Sequence, residues 1–193
     1  LDLIKLLCRR HNLYLLEDNC QSLAAEYKGL KCGGWGDMGT FSLSESGHIS
    51  TMEGGMILTD DTELYHLVKC LRSYGSTRML PPESTIHVHK DDLFFERFRL
   101  LLPGYNACPL DLCGAIGVEQ LKKLDAMVEV RRQNACLFKE LLKGDERFIL
   151  QREAGKSSWL GFSVILNPRW HVDKANIFQK LTDMGIEYRP IGS

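Results

Sequence analysis

No apolar run in this chain approaches the roughly 18 residues that a membrane-spanning helix needs; the longest are stretches such as Leu13 to Leu16 and Leu100 to Leu102. Neither sign of charge is in excess. The 24 Lys and Arg residues against 25 Asp and Glu leave a net charge of −1, so the electrostatic footprint of a nucleic-acid or anionic-membrane binder is missing. Proline is scarce, at 6 residues, and a composition of 44% hydrophobic and 25% charged residues excludes disordered and collagen-like classes. The seven cysteines include no C-x-x-C pair. Their odd number and wide scatter fit reduced thiols in a cytoplasmic protein, not a secreted disulfide scaffold. A zinc knuckle at Cys108 and Cys113 is set aside, because those two are separated by four residues at the start of a helical pattern.

What is present is an alternation of helices and short strands. Leu1 to Arg10 has helical periodicity, and Leu13 to Leu16 reads as a parallel strand buried on both faces, ending in Glu17-Asp18. A helical or turn stretch from Cys20 to Tyr27 leads to a Gly-rich segment, 29–36. Strands are expected at Met38 to Leu43 and at Met56 to Thr59. Asp60-Asp61-Thr62-Glu63 looks like an N-cap with an acidic first turn, opening a helix from Glu63 to Ser73. Residues 76–104 hold Pro81, Pro82 and Pro103 and read as a long excursion with one short helix near Asp92 to Leu101. Helices follow at Leu110 to Leu124 and Asp125 to Leu142. The tail reads as strands at Phe148 to Gln151 and Trp159 to Leu166, a helix from Val172 to Met184, and a strand from Ile186 to Ile191. The fold class is therefore α/β, a mixed, mostly parallel sheet flanked by helices (1–144), followed by the start of a small α+β unit (145–193). Because the sequence opens on Leu within a helix and stops beside an uncovered strand, a fragment of a longer protein is expected, with poor stability and no turnover in isolation.

Open α/β sheets place ligands at the carboxyl ends of their strands, and two clusters lie there. Asp18 directly follows a buried strand, where a carboxylate needs a cation or strong donors, or caps the next helix. The second cluster, 41–55, sets hydroxyls beside glycines suited to a phosphate, with His48 as a group able to transfer protons near neutral pH. His87-Val88-His89 has the i, i+2 spacing that puts two rings on one strand face, but a solvated loop without metal is the expectation. Arg189 could meet a phosphate or a carboxylate through its guanidinium, or form a surface ion pair.

These motifs together resemble the DegT/DnrJ/EryC1/StrS family of sugar aminotransferases and dehydratases, which are fold-type I pyridoxal phosphate enzymes. The resemblance rests on Glu17-Asp18-Asn19-Cys20-Gln21-Ser22, the segment from Gly36-Asp37 through Gly39-Thr40-Phe41-Ser42, Met52-Glu53-Gly54-Gly55, Gly104-Tyr105-Asn106 and the 114–125 helix. It implies that Asp18 pairs with the cofactor's pyridine nitrogen and that Gln21 lies near its phenolic oxygen. It further implies that Ser42 holds the phosphate, and that Asn106 reaches the cofactor of a neighbouring subunit in a homodimer.

The family's covalent lysine would fall five residues after Ser42, where this chain has Gly47; no lysine occurs between Lys31 and Lys69. That argues against a sugar 4-aminotransferase. Ser46-Gly47-His48-Ile49-Ser50-Thr51 instead resembles a branch of 3-dehydratases whose lysine is replaced by histidine, with the first histidine of a pair changed to glycine. That branch implies pyridoxal and pyridoxamine phosphate as cofactor forms, a nucleotide-linked 4-keto-6-deoxy sugar as substrate, L-glutamate as amino donor, and a place in deoxysugar or surface-polysaccharide synthesis. His48 is then the expected base and Arg189 a substrate contact. The rival implied by Gly47 is a relic that binds cofactor without catalysis.

Overall fold

The computed structural model describes residues 1–170 and 173–191. Helix α1 (Asp2–Arg10) leads into β1 (Leu16–Asp18), and β2 (Glu26–Tyr27) and β3 (Leu30–Lys31) form a hairpin before β4 (Met38–Ser42) and β5 (Gly55–Leu58). The main sheet has the order β1-β4-β5, with β1 parallel and β5 antiparallel to β4. It is mixed, as expected.

Strand β1 begins three residues later than its apolar run predicts. Leu13 and Tyr14 are exposed, and within β1 only Glu17 is buried, so the expectation of a strand covered on both faces does not hold for this chain. The hairpin was not legible as such. Lys28 and Gly29 form a two-residue turn with φ of 50° and 80°, the left-handed pair that such hairpins require. The hairpin is fastened to the tail by paired backbone bonds between Glu26 and Lys156.

Helix α2 (Thr62–Leu71) starts where the acidic run places it, with Asp61 accepting from the Leu64 amide at 2.9 Å. The excursion that follows contains α3 (Leu93–Phe98) and closes at its own base: Leu101 N–H donates to Gly75 O and Thr77 N–H to Arg99 O. The Ser84 hydroxyl meets His66 Nδ1 at 3.1 Å, and Thr85 donates to Glu63 at 3.0 Å, tying the excursion to α2.

Helices α4 (Asp111–Leu121) and α5 (Leu124–Leu141) match their expected spans to within a few residues. Leu124 and Val128 of α5 pack with Ala24, Leu43 and Ile49 into a buried apolar cluster. Arg132 donates to Ala24 O and Ser157 O, and Arg131 to Leu160 O, so α5 straps the tail to the region after β1. The tail has a separate antiparallel pair, β6 (Phe148–Leu150) with β7 (Val164–Leu166), then α6 (Lys174–Asp183). Residues 159–163 of the expected longer strand are irregular, and the expected helix start at Val172 lies outside the described residues. The strand expected at Ile186 to Ile191 is not formed. Tyr188 stacks on Phe178 of α6 at 4.8 Å, and Ile186 N–H returns to Leu181 O, so this segment folds back on its helix instead of pairing. Among the described residues no helix is long and apolar enough to cross a membrane.

Candidate active site at the ends of β1 and β4

Alternation along β1 sends two neighbouring carboxylates to opposite environments. Glu17 is buried and accepts three backbone N–H groups from the Gly-rich loop: Gly33 at 2.8 Å, Trp35 at 2.6 Å and Gly36 at 2.7 Å. The charge is thus met by the amides of a loop and not by a basic side chain. Gly33 and Gly39 are required here by close approach, since a Cβ on Gly39 would lie 2.5 Å from the Gly33 carbonyl oxygen. Sequence reasoning missed the role of Glu17. The available signal was a second acid beside Asp18 ahead of a Gly-rich segment, which alone does not say which of the two faces inward.

Asp18 emerges on the other face and is exposed. Its Oδ1 accepts from the Cys20 N–H at 3.1 Å and lies 3.5 Å from the Thr40 hydroxyl. Hydrogen bonds from Cys20, first its side chain and then its backbone, hold the carboxyl below the usual range, so Asp18 is ionised at neutral pH. Asn19, buried behind it, fixes the turn through Glu17 O at 3.0 Å and the Ser22 hydroxyl at 3.0 Å. Gln21 is exposed in that turn.

The parallel register sets Asp18 opposite Thr40, and Ser42 follows two residues on, on the same side of β4. The Ser42 hydroxyl lies 3.0 Å from that of Ser44 and accepts the Ser44 N–H at 3.3 Å. β1 and β4 thereby bring Asp18 and Ser42 to one sheet end. Asn106 is exposed in a bridge to Ser73 beyond α2, with no hydrogen bond to Asp18 or Ser42 among the described residues. Arg189 is exposed and faces Glu187 at 3.6 Å, the surface pair among its two readings.

The loop after Ser42 is closed by Leu43 N–H to Gly54 O and Thr51 N–H to Leu43 O. Gly47 lies within it, outside the left-handed region. A Cβ there would meet the carbonyl oxygens of Ile49 at 3.2 Å and Ser44 at 3.3 Å, so a side chain fits after shifts of a few tenths of an ångström. His48 is fully buried, and neither ring nitrogen is accessible or hydrogen-bonded among the described residues. Burial first, then the charge of Arg131, pushes its pKa below the ordinary value of 6.5, which keeps the ring neutral.

Because the unfolded chain binds a proton at His48 that the folded chain refuses, stability is undiminished above about pH 6.5 and falls as the pH drops below it. Urea midpoints at pH 7.5 and 5.5 are expected to differ less in His48→Gln than in the parent. An unchanged difference would remove His48 as a source of acid sensitivity.

A strand-end carboxylate beside a strand-end serine, on a mixed sheet backed by helices, is the α/β arrangement in which open sheets place their ligands. The profile of the DegT/DnrJ/EryC1/StrS aminotransferase family matches residues 1–191, and the chain belongs to that family. It is 47% identical over 191 residues to the GDP-4-keto-6-deoxy-D-mannose 3-dehydratase of Yersinia pseudotuberculosis, covering 98% of this chain and 49% of that protein. Among solved structures, the E. coli GDP-4-keto-6-deoxy-D-mannose 3-dehydratase with bound hydrated PLP superposes with a TM-score of 0.92 at 46% identity, covering 98% of this chain and 49% of that one. A structure of GDP-4-keto-6-deoxymannose-3-dehydratase with a trapped PLP–glutamate geminal diamine gives a TM-score of 0.92 at 46% identity, with 98% of this chain and 50% of that one covered. The chain spans about half the length of the curated relatives it matches. The family resemblance and the fold-type I class expected from the motifs are both borne out.

Proposed function

We propose that this chain supplies the cofactor-facing part of a pyridoxamine phosphate-dependent nucleotide-sugar 3-dehydratase that acts on a 4-keto-6-deoxyhexose with glutamate as amino donor. The observation that carries this reading is the convergence of an ionised, exposed Asp18 and Ser42 at the carboxyl ends of a parallel strand pair, together with near half identity to relatives named for that reaction. Both residues fit pyridoxal phosphate: an ionised carboxylate complements a protonated pyridine nitrogen, and the Ser42 hydroxyl and the loop after it suit a phosphate. When bound, that cofactor supplies an electron sink for bond cleavage beside the imine carbon. Asp18 holds the ring nitrogen's proton, Gln21 lies along the ring edge, and Asn106 and Arg189 serve a shared, two-subunit site in a homodimer. We place the domain boundary after α5, near residue 145.

Two features bear on proton transfer. The absence of lysine between Lys31 and Lys69 disfavours an aminotransferase. His48 takes the role of base in this proposal, which requires the turn at Gly47 to open, because both imidazole nitrogens are buried. That burial favours a second reading, cofactor binding without turnover.

An absorbance titration with pyridoxal and pyridoxamine phosphate, on the chain extended to its relatives' length, separates the two. A glutamate-dependent spectral change in the Gly47 form supports the dehydratase; a change that appears only in Gly47→His leaves binding alone. Asp18→Asn is expected to weaken pyridoxal phosphate binding at least about tenfold, by removing a charge-assisted contact worth about 1.5–3 kcal/mol. Equal affinity in the variant would displace Asp18 from the site.

A further inference from the structure

We propose that His87, His89 and Glu96 form a binding site for a divalent metal ion of the zinc type, built into the excursion between α2 and α4 and separate from the strand-end site. His87 Nε2 and His89 Nδ1 each lie 3.7 Å from Glu96 Oε2, and the three candidate ligand atoms are all within 4.8 Å of one another. The edges of a tetrahedron around zinc, with bonds of about 2.0–2.1 Å, measure about 3.3 Å. Two of the three edges need close by only a few tenths of an ångström. Two imidazoles and one carboxylate form an open three-ligand set whose remaining position water would fill.

The independent sign of a ligand is His87 itself. Its side chain is fully buried, yet both ring nitrogens lack a hydrogen-bond partner among the described residues. Buried polar atoms are rarely left so, and a metal at Nε2 would meet that need.

The surroundings orient the set. Glu96 Oε1 is occupied by the Lys90 N–H at 2.8 Å and by Arg99 Nη1 at 2.9 Å, which leaves Oε2 turned to the histidines. Arg99 also donates to Val88 O at 2.7 Å, fixing the residue between the two rings, and those rings sit 4.2 Å apart. Such outer contacts hold metal ligands in place. The Arg99 charge opposes a dication and is partly offset by Glu96.

The test is a Co²⁺ titration of the full chain followed by visible absorption, with Zn²⁺ displacement and thermal unfolding in parallel. One equivalent of Co²⁺ is expected, with d–d bands, no sulfur-to-cobalt charge-transfer band, and a Zn²⁺-dependent rise in the unfolding midpoint. His89→Ala alters an exposed ring and Glu96→Gln keeps the carboxamide oxygen for its donors, so both should fold; each is expected to weaken binding at least about tenfold, while His11→Ala leaves it unchanged. Binding that is equal in His89→Ala or Glu96→Gln overturns the proposal, as does a thiolate charge-transfer band, which would place the metal on the cysteines.

Discussion

Replacing Glu17 by alanine is expected to lower the unfolding free energy by about 3 kcal/mol or more, since each buried N–H left without a partner costs about 1–3 kcal/mol. Three amides converge on this one carboxylate. Glu17→Gln keeps one acceptor oxygen but turns an NH₂ donor towards a loop that itself only donates, so an intermediate loss is expected. Urea denaturation of a form that unfolds cooperatively measures both. A loss below about 1 kcal/mol in Glu17→Ala would show that the loop amides find water instead. Because the Gly-rich loop packs against Gly39 of β4, the same variant should also loosen the sheet end that carries Asp18.

The second large effect is expected at Gly47. Gly47→Lys restores an amine at the position where the family resemblance puts its covalent lysine, in a backbone conformation open to any residue. The variant should retain pyridoxal phosphate through gel filtration and, after borohydride reduction, carry it covalently on residue 47, as peptide mass spectrometry would show. The parent should lose the cofactor at the first desalting step. Retention by neither would mean that the loop from Ser42 to Gly55 does not face the cofactor. The carbonyl oxygens of Ser44 and Ile49, 3.3 and 3.2 Å from the new Cβ, would have to yield slightly, which makes the loop's own adjustment part of the result.

How much of this was legible depends on the kind of signal. Capped, periodic helices were readable: the Asp61 cap, the α4 and α5 pair and the stop at Gly185 all stand close to where pattern placed them. Asp18 and Ser42 could be nominated because strand ends are where such folds act, and the parallel register then brings them together. The Lys28-Gly29 hairpin escaped because its strands are two residues long, too short for any period to register. Ile186 to Ile191 misled for the opposite reason: the apolar alternation is real, but Tyr188 satisfies it by stacking on Phe178. Glu17 was overshadowed by Asp18, since sequence cannot tell which of two adjacent acids faces inward until register is known. The His87-Val88-His89 triplet was expected in a solvated loop, yet its first ring is buried, because the excursion folds against α2 through Ser84 and Thr85.

The excursion leaves and rejoins the body of the protein at nearly one point, where Gly75, Ser76 and Thr77 pair with Leu101, Leu100 and Arg99. A segment whose two ends already touch imposes no span on what lies between them, and lengthening such a loop is entropically cheap. Outside the Ser84 and Thr85 contacts to α2, the segment 78–98 can therefore be lengthened or shortened while β1, β4 and the ends of α2 and α4 stay where they are.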